Sequence, residues 1–409
     1  MLQATMTTAK TTSDDLAHEV PDIDLFAGLS GEQRAALAAR FALHTLRRGD
    51  VLMRQGEAAD ALYVVISGRM SVTLDGRRGP VSEIGPGQPA GEIAFLTGGA
   101  RTATVTAMRD SLVLALSRAE FDGLVAEHPG VWETLTATLA RRLAATTAHA
   151  AASLVVPTPR PRTICIVPAG RSRLSMDFVG QFADELGRNA RCLELTRETA
   201  ADMLGVSDLE GPDATARLNA LEASYEYLLL VADDASAWTE KAIRHADIVL
   251  AVGWHGGDPT LNDIERLAAR FVAPEATRLV LVHPRQGRIS GTSRWLAPRK
   301  IAMHHHVALE GTADVERLVR FIEGRAVGFV AAGGGALAAA HTGVFKALSE
   351  AGIAFDIMGG TSAGAALAAA FMLDTPPDEI DASMGEMFVT NRAMRRYTLP
   401  RYALLDHTV

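Results

Sequence analysis

Cysteine is nearly absent. Cys165 and Cys192 are the only two in 409 residues, too few for a disulfide framework and in keeping with a reducing compartment. Basic residues are in deficit, 40 against 48 acidic, giving a net charge of −8. A protein built to coat nucleic acid or an anionic bilayer carries the opposite bias, so nucleic acid is not an expected partner. Aromatic residues are sparse at 5%. Met1–Val20 lacks the basic-then-apolar layout of a signal peptide and reads, over 1–21, as a disordered leader. Ala326–Phe345 has no Asp, Glu, Lys or Arg and is about as long as a membrane-spanning helix. It also contains Gly333-Gly334-Gly335, costly inside a helix, and divides better into strand, loop and helix. A cytoplasmic protein is expected. What the chain does have is 48% hydrophobic residues, enough to bury a core in each of several domains.

Over 22–150 the pattern is short strands punctuated by glycine. Tyr63–Ile66 gives way to Ser67-Gly68, and Met70–Leu74 alternates before the hairpin signal Asp75-Gly76. A small β-barrel or jelly roll is predicted. Ser117 and Glu120 fit a capping box ahead of Phe121, Leu124 and Val125, and a second helix is expected over Val131–Thr146. Between the strands lie Gly91-Glu92-Ile93-Ala94-Phe95-Leu96 and Arg101-Thr102. A helical turn opening at Gly91 offers N–H groups to an anion, and Arg101 adds a charge-assisted partner. These residues resemble the phosphate-binding cassette of cyclic nucleotide-binding domains. That resemblance implies a cAMP or cGMP ligand, with Glu92 accepting from the ribose hydroxyl; Thr102 alone does not choose the base. No helix-turn-helix follows. Val155–Pro161 is proline-rich and stiff, and it leads into a strand.

From 162 to 324 strands alternate with helices. Thr163–Val167, Tyr227–Ala232, Asp247–Val252 and Thr277–His283 are continuous apolar runs, and Ser175–Leu186 and Leu261–Phe271 are amphipathic. This is the pattern of a doubly wound parallel α/β domain. The loop Pro168–Arg173 is no Walker A motif, because it lacks the second glycine and the Lys-Ser/Thr ending. His304-His305-His306 alternate faces in a strand and have no Cys or carboxylate beside them, so a surface or interface role is expected and no metal. Trp238-Thr239, His245-Ala246-Asp247 and Asp314–Leu318 resemble the linker domain of bacterial relatives of neuropathy target esterase.

The strongest chemical signal comes after 325. Ile353–Met358 reads as a buried strand, followed by Gly359-Gly360-Thr361-Ser362-Ala363-Gly364 and a helix. Gly360 to Gly364 is a G-x-S-x-G nucleophile elbow in strand–turn–helix context, with Ser362 as nucleophile. Upstream, a strand over Val327–Ala331 ends in Gly333, Gly334 and Gly335, whose N–H groups suit an oxyanion hole. A helix is predicted to follow with Leu337, Ala340, Val344 and Leu348 on one face. The two motifs together resemble patatin-like phospholipases, which use a serine–aspartate dyad on acyl esters. Leu337 and Ala338 depart from that family's arginine and last glycine.

The aspartate is expected in an Asp-Gly-Gly/Ala motif. Asp374, Asp378, Asp381 and Asp406 follow Ser362, and none precedes a glycine. Residues 325–409 are therefore expected to be the N-terminal part of a patatin-like domain, in a fragment or truncated product. The domain order is similar to that of the neuropathy target esterase family. It implies a cyclic-nucleotide-regulated esterase acting on phospholipids or lysophospholipids, without a catalytic cofactor. Peripheral contact with the inner membrane face is implied, although no basic amphipathic helix is evident to deliver it. The alternative is a non-catalytic cyclic-nucleotide sensor.

Overall fold

The computed structural model describes residues 28–390 apart from 78, 139, 141–160, 207, 288 and 374. The proposed leader, the proline-rich linker up to residue 160, Asp374 and Asp406 lie outside the described residues. The chain packs as two units, Met1–Val315 and Glu316–Val409.

The first unit opens with a helix, Gly31–Ala38, started by a reciprocal capping box between Ser30 and Gln33. Eight strands follow: β1 (Ala42–Leu46), β2 (Val51–Met53), β3 (Ala61–Ser67), β4 (Met70–Thr73), β5 (Ser82–Ile84), β6 (Pro89–Ala90), β7 (Thr104–Ala107) and β8 (Ser111–Ser117). They form two antiparallel four-stranded sheets, ordered β1-β8-β3-β6 and β2-β7-β4-β5. This is the expected jelly-roll sandwich. Residues of β3 and β8 fill both of its apolar clusters, Val64 and Leu114 in one, Val65 and Val113 in the other. Period-two alternation sends successive side chains to opposite faces. The helix Arg118–Glu127 is capped by Ser117, whose side chain accepts from the Glu120 N–H. The next helix is described over 130–138 and at 140; residues 139 and 141–146 of the predicted Val131–Thr146 span lie outside the described residues.

The α/β part carries six parallel strands: β9 (Thr163–Pro168), β10 (Cys192–Leu195), β11 (Tyr227–Val231), β12 (Ile248–Trp254), β13 (Thr277–His283) and β14 (Met303–Ala308). Their order is β10-β11-β9-β12-β13-β14. From β9 the chain crosses to the edge strand β10, returns to β11 beside β9, and then runs outward on the other side through β12, β13 and β14, so β9 marks a topological switch point. The central strands are buried throughout, which is why they read as unbroken apolar runs. β10 escaped prediction because Glu194 interrupts its short run. In β14, His305 faces the buried side. His306 lies on the other face, where Nδ1 shares a 2.7 Å hydrogen bond with His283 Nε2. Among the described residues, no three His, Cys, Asp or Glu side chains are arranged to hold a metal ion.

The second unit contains β15 (Gly328–Ala331) paired in parallel with β16 (Ile357–Gly360). Phe329, Phe345, Phe355 and Phe371 pack at its centre, with Phe345 and Phe371 stacked 4.1 Å apart. Asp356, buried just before β16, is clasped by Arg320 at 2.6 Å and accepts from the Val327 N–H at 2.9 Å. Burial opposes its ionisation, but these donors outweigh it and hold the carboxyl below the usual carboxylate range.

Two expectations need correction here. The strand begins at Ile357 rather than Ile353 and continues through Gly359-Gly360, because pairing starts opposite Gly328, and it is not buried: Ile353 and Ile357 are both exposed. The helix after the glycines does not bury Leu337, which is 84% exposed, or Val344. Gly335–Ala339 is a tighter 3₁₀ turn leading into the helix Ala340–Glu350. Three residues per turn instead of 3.6 break the extrapolated stripe. The uncharged stretch Ala326–Phe345 thus divides into strand, turn and helix, and no helix among the described residues is long and apolar enough to cross a membrane.

Candidate functional site

The elbow is built by close approach. Ser362 has φ 53° and ψ −127°, and is the one non-glycine with positive φ among the described residues. A conformation of that kind persists only where its surroundings enforce it. Gly360 and Gly364 supply the enforcement. A Cβ on Gly364 would sit 2.4 Å from the Ala331 carbonyl oxygen, and one on Gly360 would sit 2.6 Å from Gly364 backbone. Side chains at either position would push strand and helix apart. The helix Ala363–Met372 starts directly after Ser362, so the positive end of its dipole borders the exposed serine, while the Gly364 and Ala365 N–H groups donate to the Thr361 and Ser362 carbonyls at 3.0 Å.

The glycine loop meets the elbow. A Cβ on Gly333 would lie 3.2 Å from Ser362 Cβ, and the Gly333 N–H donates to Thr361 Oγ1 at 3.0 Å. Thr361 therefore ties Gly333-Gly334-Gly335 to the serine turn, while occupying one of the amides expected to serve an oxyanion. Among the described residues no side chain is hydrogen-bonded to Ser362 Oγ. Asp378 is engaged by Lys346 at 2.7 Å, and Asp356 is committed to Arg320.

In the first unit a cavity of about 580 Å³ opens beside the cassette, its wall including Ile84, Gly91, Glu92, Ile93, Arg101 and Thr102. That volume lies within the range of small-molecule sites. Ala94, in the same turn, is buried and also lines it. Gly91 has φ 75° and stands ahead of the six-residue helix Glu92–Thr97; a Cβ there would come 2.2 Å from Arg101 Nη1. Arg101 is 3% exposed, and its guanidinium donates to the Gly91 carbonyl at 3.0 Å and the Ala61 carbonyl at 2.6 Å. The predicted phosphate partner thus lies at the cavity wall, held on backbone oxygens.

At the switch point after β9, where open α/β sheets commonly take ligands, the position is already filled. The Gly170 N–H donates to Glu265 Oε2 at 2.9 Å, and Arg299 clasps the same carboxylate at 2.7 Å. Asn262 caps the Pro168 and Gly170 carbonyls.

Sequence reading missed a buried ionic seam between the sandwich and the α/β part. Asp110 accepts from Lys241 at 2.9 Å and from Arg244 at 3.1 Å, and all three are at most 2% exposed. Arg109 pairs with Glu222 at 2.6 Å. Asp247, flagged in the sequence, accepts from the N–H groups of Arg162 and Thr163 where β9 begins. His245 is fully buried with neither ring nitrogen hydrogen-bonded. Burial, with the charges of Arg109, Lys241 and Arg48, pushes its protonation well below the usual histidine range. Charged residues in helices normally mark solvated faces, so no sequence signal distinguished Lys241 and Arg244.

Comparison with known proteins agrees with this layout. Residues 43–128 match the model of the cyclic nucleotide-binding domain, 160–327 the neuropathy target esterase family P-loop like domain, and 329–407 the patatin-like phospholipase. The chain thus joins a sandwich similar to cyclic nucleotide-binding domains, a P-loop like α/β domain and a patatin-like segment. Over most of its length it is similar to the neuropathy target esterases. The neuropathy target esterase sws of Drosophila persimilis is 30% identical over 368 residues, covering 79% of this chain and 26% of that protein. The lysophospholipase NTE1 of Mycosarcoma maydis is 28% identical over 393 residues, covering 77% of this chain and 21% of that protein. The chain spans about a quarter of the length of these relatives. Among solved structures, the N-terminal domain of a transcriptional regulator from Streptomyces coelicolor A3(2) is 36% identical, covering 31% of this chain and 93% of that one, with a TM-score of 0.29.

Proposed function

We propose that this chain carries the nucleophile of a serine esterase that cleaves acyl esters of phospholipids or lysophospholipids, under control of a cyclic nucleotide. The observation that carries the reading is the strained turn of Ser362 set against Gly333. Ser362 Oγ attacks the acyl carbonyl as its proton passes to a base. The oxyanion is received by the N–H groups of Gly334, Gly335 and Ala363. Collapse expels the alcohol, which takes up the proton, and water then releases the fatty acid from the acyl-enzyme. A serine hydroxyl is a weak nucleophile at its free pKa. The base is an aspartate from outside the described residues or from another chain, since none of those described contacts Ser362. No catalytic cofactor takes part. A lipid substrate brings the protein to the inner face of the membrane from the cytoplasm. cAMP or cGMP occupies the cavity beside Gly91, with Arg101 on its phosphate.

The test is hydrolysis of a lysophospholipid and of a p-nitrophenyl ester by the chain and by Ser362→Ala. Equal rates would reject the esterase reading. That no described aspartate contacts Ser362 favours a second reading, a cyclic-nucleotide sensor without catalysis. It predicts those equal rates together with calorimetric heat from cAMP or cGMP that Arg101→Ala abolishes.

A further inference from the structure

The ionic seam and the nucleotide cavity share a strand. Arg101, Thr102 and Val105 border the cavity, and four-residue β7 carries the chain on to Met108, Arg109 and Asp110. Arg109 and Asp110 are 4% and 2% exposed, closed in by Lys241 and Arg244 of the helix Ala237–His245 and by Glu222 of the helix Pro212–Ser224. The corner is pinned from its own side as well. The Arg48 N–H donates to Asp110 Oδ1 at 3.1 Å, while its guanidinium donates to the Ala246 carbonyl at 2.6 Å. A second bridge runs beside it. Arg69 lies 3.6 Å from Glu83, a residue of the cavity wall, and 4.0 Å from Asp247 of the α/β part.

Arg101 supplies the element with two arrangements. Its guanidinium donates to the Gly91 and Ala61 carbonyls and lies 3.5 Å from Asp60. An anion in the cavity competes with these acceptors for it, three residues before β7 begins. β7 is paired on both sides, with β2 and β4, so a displacement at one end is carried along the strand with its neighbours. Displacement at one end therefore reaches the charged corner at the other. A buried ion network of this kind has few intermediate arrangements, because separating its members leaves unpaired charge in a dry interior.

We propose that occupancy of the cyclic-nucleotide cavity and the seating of the Arg109–Asp110 corner in the α/β part are energetically coupled, with β7 and Arg69 as the two links. This rests on the cavity taking a cyclic nucleotide. Coupling is reciprocal, so disturbing the seat must change nucleotide affinity even though neither Asp110 nor Arg69 lines the cavity.

The experiment is calorimetric titration of the full chain with cAMP and with cGMP, in wild type, Asp110→Asn and Arg69→Gln. The expected result is a change in nucleotide Kd of at least about fivefold in both variants. Arg69 is partly solvent-accessible, so its variant remains informative if Asp110→Asn does not fold. Amide exchange over Ala237–His245, followed in wild type with and without nucleotide, gives an independent reading, and protection is expected to change on binding. Unaltered Kd values in folded variants, or exchange that ignores the ligand, overturn the coupling while leaving the cavity assignment standing. Absence of heat from both nucleotides in wild type overturns the cavity assignment and the coupling together.

Discussion

Replacing Ser362 by glycine should strengthen the packing around the elbow, whereas replacing it by alanine should not. Both substitutions delete the hydroxyl, so their difference isolates the backbone. A non-glycine residue held at φ 53° costs about 1–3 kcal/mol, and alanine keeps the Cβ that causes it. Glycine removes that cost but returns about 0.5–1 kcal/mol through the greater freedom of the unfolded chain. The net advantage of glycine over alanine is about 1 kcal/mol, or roughly fivefold in a local opening equilibrium. Hydrogen exchange on the full chain reads this directly at amides in β16 and the helix Ala363–Met372. Slower exchange in Ser362→Gly than in Ser362→Ala supports a strained nucleophile turn. Equal exchange, or faster exchange in the glycine variant, refutes the strain and with it the main physical argument for a reactive serine.

Asp110→Ala leaves Lys241 buried with only the Thr215 hydroxyl for company. It should cost about 3–5 kcal/mol, seen as a lower denaturation midpoint; a loss below about 1 kcal/mol means the seam is solvated. Asp356 is held below its unfolded pKa, so its contribution is complete above the ordinary carboxylate range and fades as pH falls through it. Urea midpoints followed downward from neutral pH should therefore drop more steeply in wild type than in Asp356→Asn; parallel curves count against the Arg320 clasp.

The sequence made the elbow legible because close approach leaves a compositional mark: Gly360 and Gly364 flank Ser362 since no larger residue fits at either position. The sheet was equally readable, because β9, β11 and β12 are buried on both faces and so are apolar from end to end. What stayed hidden depends on partners distant in the chain. Lys241 and Arg244 look like solvated helix residues until Asp110 is brought to them from more than a hundred positions away. Glu265 carries no sequence mark of the Gly170 and Arg299 groups that close on it. Leu337 was misplaced because a 3₁₀ turn changes the period by which a buried face is extrapolated. The redirection of Arg101 onto carbonyl oxygens leaves no sequence trace, since the residue type serves both roles.

The seam also governs how the polypeptide can be taken apart. Cutting between sandwich and α/β sheet, where proline content invites it, would strip Asp110 from its cations and expose Lys241 and Arg244 beside a histidine that has no use for water. Recombinant pieces divided there should precipitate or bind one another, whereas a boundary placed after the helix Ala313–Ile322 keeps both halves of the charge lattice on one product.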